Sequence, residues 1–235
     1  MEKTELKIND WWSEKSAENI WMEITGRPDI GADLKAPQFS DDGQTETYSY
    51  TLTKHTTDGD IVLHYNKHKK EIGSYSIVDG ACYADDIIWK ALGSSAAKTD
   101  TKPYSRPGWK VGLRNFQYLK TPVKLENLRF KSEQILRIKE DMQTAIRGSL
   151  YFPFSFSKNK LHGAVQGYLV KFPKSIADEF EQLRDLVSKD IDNSPVFVEQ
   201  LGTSYRQADE SVAITRHKPF EHDPDVIDRG SKAHR

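Results

Sequence analysis

One group of polar residues has the types found at nuclease sites. His64, Asn66 and His68 resemble a small His-Asn-His cluster. They fall within a single predicted hairpin, where the two histidines need not converge on one point, and no zinc-binding segment surrounds them. The sequence therefore favours surface histidines at these positions.

A second group combines carboxylates with a lysine: Asp79, Asp85, Asp86 and Lys90. A metal-dependent nuclease needs carboxylates that converge on a metal ion, and often a lysine beside them. No apolar strand is evident between Ala84 and Lys90 that would present these groups. A nuclease with an unrecognised site stays an alternative, but this spacing does not favour it.

The remaining signals for catalysis are weak. Cys82 is the only cysteine, which excludes an internal disulfide framework and a zinc site built from several cysteines. The chain has no phosphate-binding glycine loop and no nucleophile elbow. We therefore expect a non-enzymatic protein with no cofactor and no metal ion.

Aromatic residues give a stronger signal, because a ring can stack on a nucleic-acid base. The chain has five tryptophans and ten tyrosines. On the predicted strand from Asn19 to Thr25, Trp21, Glu23 and Thr25 share one face, so a ring lies in line with polar groups that could bond a base edge. The alternative is that both faces are buried and Trp21 simply packs. We assign a base pocket to Trp21, Glu23, Thr25, Tyr48, Asp85, Trp89 and Trp109.

Charge is distributed unevenly along the chain. The net charge is -1 overall, yet residues 102–174 carry +11 between acidic ends of -7 for residues 1–60 and -5 for residues 175–235. A basic middle suits an anionic polymer, although a solvated and self-compensating surface would have the same composition. We assign phosphate contacts to Lys67, Lys69, Lys70, Lys102, Arg106, Lys110 and Arg114.

The elements that must position these residues mix strands with helices. Alternation predicts strands at residues 19–25, 48–54, 61–65, 72–78, 111–123 and 167–172, with a hairpin joining the third and fourth. Helical spacing predicts helices over 132–147 and from Ser175, while residues 26–46 and 93–108 are predicted loops. A short strand is expected at 196–198. This irregular mixture favours an α+β barrel-like domain of five to six strands flanked by helices.

Six motifs in the same order resemble the EVE domain of the PUA-like superfamily, whose relatives include the YTH, ASCH and SRA domains. A first strand ends in a turn, and a Gly-Asp pair then opens an apolar strand ending in tyrosine. A return strand, an aromatic-Ala-Asp step, a Trp-x-Val strand leading to a Pro-Val-x-Leu segment, and a closing strand with its helix follow. In this chain the six motifs are Trp21–Pro28, Gly59–Tyr65, Ile72–Val78, Tyr83–Asp85, Trp109–Val111 with Pro122–Leu125, and Gly167–Val170 with Ile176–Leu186.

The match covers roughly residues 19–187 and has departures. Alanine stands at 84 where the family usually has proline, residues 36–57 replace a helix, and residues 94–106 look inserted. The resemblance implies a twisted β-barrel of the PUA-like type that reads a modified base by flipping it into an aromatic pocket. It also implies a specificity module of a modification-dependent restriction system, with a fused or associated nuclease domain as partner.

The expected ligand is double-stranded DNA with a methylated or hydroxymethylated cytosine. An RNA reader and a small-ligand sensor stay open as alternatives.

We expect an N-terminal extension over 1–18, a base-reading domain over 19–200 and a linker or tail over 201–235. No apolar run reaches the roughly 20 residues needed to span a bilayer, so we expect a cytoplasmic protein without a membrane partner.

Overall fold

The computed structural model of this 235-residue chain describes residues 10–13, 18–40, 43–89, 104–146 and 148–188. These residues all belong to the first of two compact units, Met1–Ile191. The predicted strand at 196–198 and the predicted tail over 201–235 lie outside the described residues, and the predicted domain boundaries stay predictions.

A six-stranded mixed sheet forms the centre of the fold, in the order β2-β5-β4-β3-β1-β8. The first and third strands run parallel, and every other neighbouring pair is antiparallel. A separate two-stranded hairpin consists of β6 and β7. The strands are β1 Ile20–Thr25, β2 Asp33–Pro37, β3 Ile61–Asn66, β4 Glu71–Trp89, β5 Tyr104–Lys124, β6 Phe154–Ser157, β7 Lys160–Ala164 and β8 Leu169–Lys171.

Short helices surround this sheet. The first, α1, continues directly into a 3₁₀ turn over Leu52–His55, and the others follow the fifth and eighth strands. The longest has 14 residues. The helices are α1 Tyr48–Thr51, α2 Leu125–Phe130, α3 Ser132–Ala145, α4 Lys174–Ala177 and α5 Glu181–Ser188.

Alternation along β1 creates two apolar cores, one on each face of the sheet. Ile20, Met22 and Ile24 belong to the first core, which the helices α2 to α5 cover. Trp21 points the other way into the second core, which the 3₁₀ turn covers through Leu52. Burying one large aliphatic side chain contributes about 1.5–3 kcal/mol, so a strand buried on both faces anchors the domain.

The two ends of the strand order meet in space. Tyr168 precedes β8 at one end, and its hydroxyl accepts a hydrogen bond from the backbone N–H of Lys35 in β2 at the other end, at 2.9 Å. In a flat sheet these strands would lie about 24 Å apart, because neighbouring strands are separated by about 4.8 Å. The sheet therefore curls into a barrel-like form. This confirms the expected α+β barrel-like class, while the PUA-like type stays a prediction.

The predicted hairpin and the predicted long helix are confirmed. β3 and β4 pair from Ile61 opposite Ile77 to Asn66 opposite Glu71, with one shift of register between His64 and Tyr65, and α3 covers most of residues 132–147. The extended run predicted at 111–123 is also a strand and begins earlier, at Tyr104.

The strand predicted over residues 48–54 is wrong, since this segment forms α1 and the 3₁₀ turn. Tyrosine and threonine favour strands only where their side chains can pack against the neighbouring residues of a sheet. Here Leu52 and Thr53 are buried against the second face of the sheet. Packing on the curled sheet thus overrides the local preference.

Three boundaries also differ from the prediction. The loop predicted over 26–46 contains β2, in which Leu34 and Ala36 are fully buried. The loop predicted over 93–108 is strand from Tyr104 onward. The helix predicted from Ser175 consists of two short helices that are separate along the chain, so Ser175 lies inside α4 and does not cap it.

The closing hydrogen bond gives a test of the fold. Tyr168→Phe leaves the ring in place but removes the acceptor of the Lys35 N–H, and a buried donor without a partner costs about 1–3 kcal/mol. We expect chemical denaturation to show a loss of about 1 kcal/mol or more in the free energy of unfolding. Tyr118→Phe, which removes an exposed hydroxyl, is the control. Equal stability of the two variants would show that the barrel does not depend on this bond.

Candidate nucleic-acid interface

Five aromatic rings form a group that we call the aromatic cluster: Tyr48, Tyr50, Trp89, Tyr151 and Tyr168. Trp89 contacts Tyr50 and Tyr168 edge-on, with ring centroids 5.4 and 5.5 Å apart. Tyr48 meets Tyr151 in the same way at 5.4 Å. Edge-on aromatic pairs at this separation stabilise a structure by more than the burial of their apolar surface alone would. The cluster packs against the second core.

The backbone around the cluster explains how these rings approach one another. The helix α1 supplies Tyr48 and Tyr50, and the last residue of β4 supplies Trp89. Gly167 precedes Tyr168, and a Cβ atom there would overlap the hydroxyl of Tyr151 and lie 3.2 Å from the Cβ of Ser49. Only glycine leaves room for Tyr151 at this position.

Burial differs across the cluster in a way that suits a binding site. Tyr168 is buried, whereas Tyr48, Tyr50, Trp89 and Tyr151 are half-buried. Burial raises the pKa of Tyr151 to about 12, and it raises the pKa of Tyr168 well above the ordinary value. The rings of Tyr151 and Tyr168 therefore stay neutral at physiological pH.

Trp21 lies beneath this surface and is fully buried. Its Nε1 donates a hydrogen bond to Asp60 Oδ2 at 2.7 Å, and the Lys171 Nζ lies 4.1 Å from its ring centroid. Trp12 contacts the same ring edge-on, with centroids 5.7 Å apart. In this structure the Trp21 ring supports the second core.

Glu23 and Thr25 are also buried. A Glu23 carboxylate oxygen lies 2.7 Å from His64 Nδ1, and the other oxygen lies 3.5 Å from Arg27 Nε. Burial lowers the pKa of Arg27. The negative charges of Glu23, Asp33 and Asp29 raise this pKa by a larger amount in total, so the net shift is upward. Glu23 thus belongs to a buried charged network.

The prediction that His64 lies on the surface is wrong, because this side chain is buried. His68 is exposed, as predicted. The second ring nitrogen of His64 lies 2.9 Å from Ser76 Oγ. The order Ser76, His64, Glu23 has the connectivity of a catalytic triad. All three side chains are buried between neighbouring strands, so no reactant can reach the serine in this structure.

Trp109 and Asp85 lie on the long antiparallel pair of β4 and β5, which we call the ribbon, and β2 adds a third strand beside Trp109. Trp109 is opposite Ala84 and Asp85 is opposite Gly108, so their side chains point to opposite faces. The Lys54 Nζ lies 5.2 Å from the Trp109 ring centroid. The structure therefore brings Tyr48 and Trp89 into the aromatic cluster but divides the other predicted pocket residues between the core and the ribbon.

The predicted phosphate contacts of the ribbon already have protein partners. Arg114 Nη1 lies 2.7 Å from an Asp58 carboxylate oxygen and 2.9 Å from one of Asp79. Lys110 pairs with Asp85 at 3.4 Å, and Arg106 donates to the carbonyl oxygens of Phe39 and Ser40 at 2.8 and 2.6 Å. Lys102 lies outside the described residues. Carboxylates thus offset the charges of Arg114 and Lys110, whereas Arg106 keeps its charge but is held by backbone carbonyls.

The turn between β3 and β4, Asn66–Lys70, presents its lysines differently; we call it the lysine turn. Asn66 Oδ1 accepts the backbone N–H groups of His68 and Lys69 at 2.9 and 3.0 Å, which fixes the turn. Lys67, Lys69 and Lys70 form no ion pair with any residue that the structure describes. Their charge is available for an anionic ligand.

Sequence reasoning did not assign Tyr50, Tyr151 and Tyr168 to the pocket. Tyr50 lies in the segment mistaken for a strand, and Tyr151 is distant from the other rings in sequence. The usable signal was Gly167 directly before Tyr168, because a glycine beside an aromatic residue at a strand start often marks a close approach.

Within the described residues, no group of three or more histidine, cysteine, aspartate or glutamate side chains is placed to hold a metal ion. Asp85 and Asp86 do lie on a strand, contrary to expectation, but adjacent strand residues point to opposite faces. No helix in this part of the chain is long and apolar enough to cross a membrane.

Several solved structures have limited similarity to this chain. The N-terminal domain of McrB from Staphylothermus marinus has 14% identity and a TM-score of 0.36, covering 71% of this chain and 93% of that one. A protein from Rhodopseudomonas palustris has 14% identity and a TM-score of 0.30, with coverages of 52% and 80%. One from Agrobacterium tumefaciens has 15% identity and a TM-score of 0.25, with coverages of 55% and 80%.

TM-scores at this level do not assign a fold. No family model matches the chain, and no curated protein matches it. The resemblance to the EVE domain therefore stays a prediction from the motifs of the sequence.

The buried lysine above Trp21 leads to a test by pH. Burial lowers the pKa of Lys171 to about 8, whereas an unfolded lysine titrates near 10.4. Between these values the unfolded chain binds more protons, so the free energy of unfolding rises with pH. From pH 7 to 9.5 we expect a rise of about 1–2 kcal/mol, measured by urea denaturation. Lys171→Met should flatten this rise; an unchanged slope would assign it to another group.

Proposed function

We propose that this chain binds double-stranded DNA that carries a modified base and holds the flipped base at the aromatic cluster. The lysine turn contacts phosphates and supplies affinity without sequence choice. The module has no chemistry of its own in this proposal. A methylated or hydroxymethylated cytosine is the ligand that we infer.

The observation that carries the proposal is the gradient of burial across the aromatic cluster. Trp89 and Tyr50 are half-buried and meet edge-on, and behind them Tyr168 is buried and held by its bond to Lys35. Base readers need rings that are both accessible and fixed, because a fixed ring loses little entropy when a base stacks on it.

The energetics explain how such a site can choose one base. Flipping costs a few kcal/mol, and stacking on an aromatic ring returns about 1–3 kcal/mol per base. The two contributions nearly cancel, so small differences in fit decide the outcome. A buried methyl group contributes about 0.8 kcal/mol, which is enough to favour a methylated base several-fold.

The resemblance to the EVE domain extends the proposal to the cellular role. Such domains in bacteria are often joined to nucleases of modification-dependent restriction systems. We infer that this chain is the specificity module of such a system and that a fused or associated nuclease domain cuts the DNA. Only the sequence resemblance supports the proposal of a nuclease partner.

Binding to matched duplexes tests the proposal. Fluorescence anisotropy with cytosine, 5-methylcytosine, 5-hydroxymethylcytosine or N6-methyladenine duplexes, at two salt concentrations, should show a preference for one modified duplex that persists at higher salt. Equal and salt-sensitive binding to all four would contradict base reading. Tighter binding to the matching RNA would move the function to an RNA reader, and metal-dependent cleavage would make the chain a nuclease.

Trp89→Ala should remove the preference in the same assay. Losing one stacking ring should weaken binding to the preferred duplex about five- to 100-fold, while binding to the unmodified duplex changes little. Ile88→Ala is the matched control, because Ile88 is 62% exposed and is the next residue on the same strand. Thermal unfolding checks that both variants fold. Equal affinities in wild type and Trp89→Ala would exclude Trp89 from the base site.

A further inference from the structure

We propose that a second surface of this chain, built around Tyr118, binds single-stranded nucleic acid. We call it the Tyr118 platform and define it as Tyr118, Lys120 and Lys124 of β5 with Lys69 and Lys70 of the lysine turn. It goes beyond the proposed function, because it uses other residues than the aromatic cluster and takes a strand whose bases are unpaired.

Tyr118 is the first reason for the proposal. It is 77% exposed, although it lies on a strand of the central sheet. β2 pairs with β5 only from Gly108 to Gly112, so beyond Gly112 no strand among the described residues covers that edge of β5. A large ring left open in this way, beside positive charge, is typical of surfaces that bind a ligand.

The Tyr118 ring is supported from one side. Phe116 contacts it edge-on, with centroids 5.1 Å apart at 80°. Phe116 is itself fixed, because it lies against Gly31, where a Cβ atom would overlap the ring, and 5.8 Å from the buried His64 ring. A stacking ring that is held before binding loses little rotational freedom when a base arrives.

Lysines without an ion-pair partner follow Tyr118 along β5. Tyr118, Lys120 and Lys124 are exposed, whereas Leu119 and Val123 are buried in the first core. The pairing with β4 shifts register between Tyr118 and Val123, so exposure rather than strict alternation defines this side of the platform. Lys120 and Lys124 are exposed and form no ion pair with any described residue.

The lysine turn extends this charge. Lys124 is opposite Glu71, the residue that follows Lys70, and the Leu125 N–H donates to the Lys70 carbonyl at 2.9 Å. The carboxylates in the same stretch are Glu71 and Glu126. Lys69, Lys70, Lys120 and Lys124 outnumber them, so the platform keeps a net positive charge.

The chemistry of the platform fits an unpaired strand. Tyr118 is opposite Ser74 and Lys124 is opposite Glu71, which places them about 10 Å apart along β4, so the ring and neighbouring lysines can contact a base and adjacent phosphates of one strand. An exposed ring can stack on any base face, but in a duplex those faces are already stacked. Single-stranded DNA or RNA is therefore the ligand that uses both the ring and the lysines.

Anisotropy with fluorescein-labelled oligothymidine and oligouridine tests the proposal on the full chain. We expect binding that weakens about five- to tenfold or more in Tyr118→Ala and falls with salt in the wild type. Tyr83→Ala is the matched control, because Tyr83 is 48% exposed and lies on the ribbon away from the lysine turn. A preference between the two oligomers identifies the natural polymer.

Two outcomes would overturn the platform: no binding of either oligomer, or equal affinity of the wild type and Tyr118→Ala. Since Tyr118 is exposed, the variant should unfold at the wild-type temperature, which circular dichroism checks. Loss of single-strand binding in Trp89→Ala but not in Tyr118→Ala would place that binding at the aromatic cluster instead.

Discussion

The hydrogen bond from the Lys35 N–H to the Tyr168 hydroxyl joins the two outer strands of the sheet. Arg27 reinforces the same seam by pairing with Asp33 at 2.8 Å. Once the sheet is curled, Tyr168 lies against Trp89 at the end of the long β4 strand, and Trp89 lies against Tyr50. The aromatic cluster is therefore a consequence of closure: in a flat sheet its members would be far apart.

Polar groups inside the curled sheet must be paired, because burying an isolated charge costs far more than burying an apolar side chain. Glu23 pairs with His64 and Arg27, and the Trp21 Nε1–H donates a hydrogen bond to Asp60. Such networks tolerate few alternative arrangements, since removing one member leaves another unsatisfied. The interior thereby fixes the frame, and contacts with a ligand are left to the half-buried rings and exposed lysines at the surface.

Sequence patterns predicted the features that depend on local alternation, such as β1 with its two faces and the β3–β4 hairpin. They failed for residues 48–54, because β-prone residues become helical when the curled sheet offers a surface to cover. Tyr151 could not be assigned to the cluster, since its neighbours are set by closure of the sheet, and for Tyr168 the preceding Gly167 was the usable signal. His64 was misplaced for a different reason, because its partners Glu23 and Ser76 come from the two strands on either side of β3.

Photocrosslinking tests most directly whether a base occupies the aromatic cluster. A duplex with 5-iodocytosine at the position of the preferred modified base is irradiated with the chain, and the linked peptide is identified by mass spectrometry. We expect a crosslink to Trp89 or Tyr50. Crosslinks confined to other parts of the chain would show that the base is held elsewhere and would contradict the proposed site.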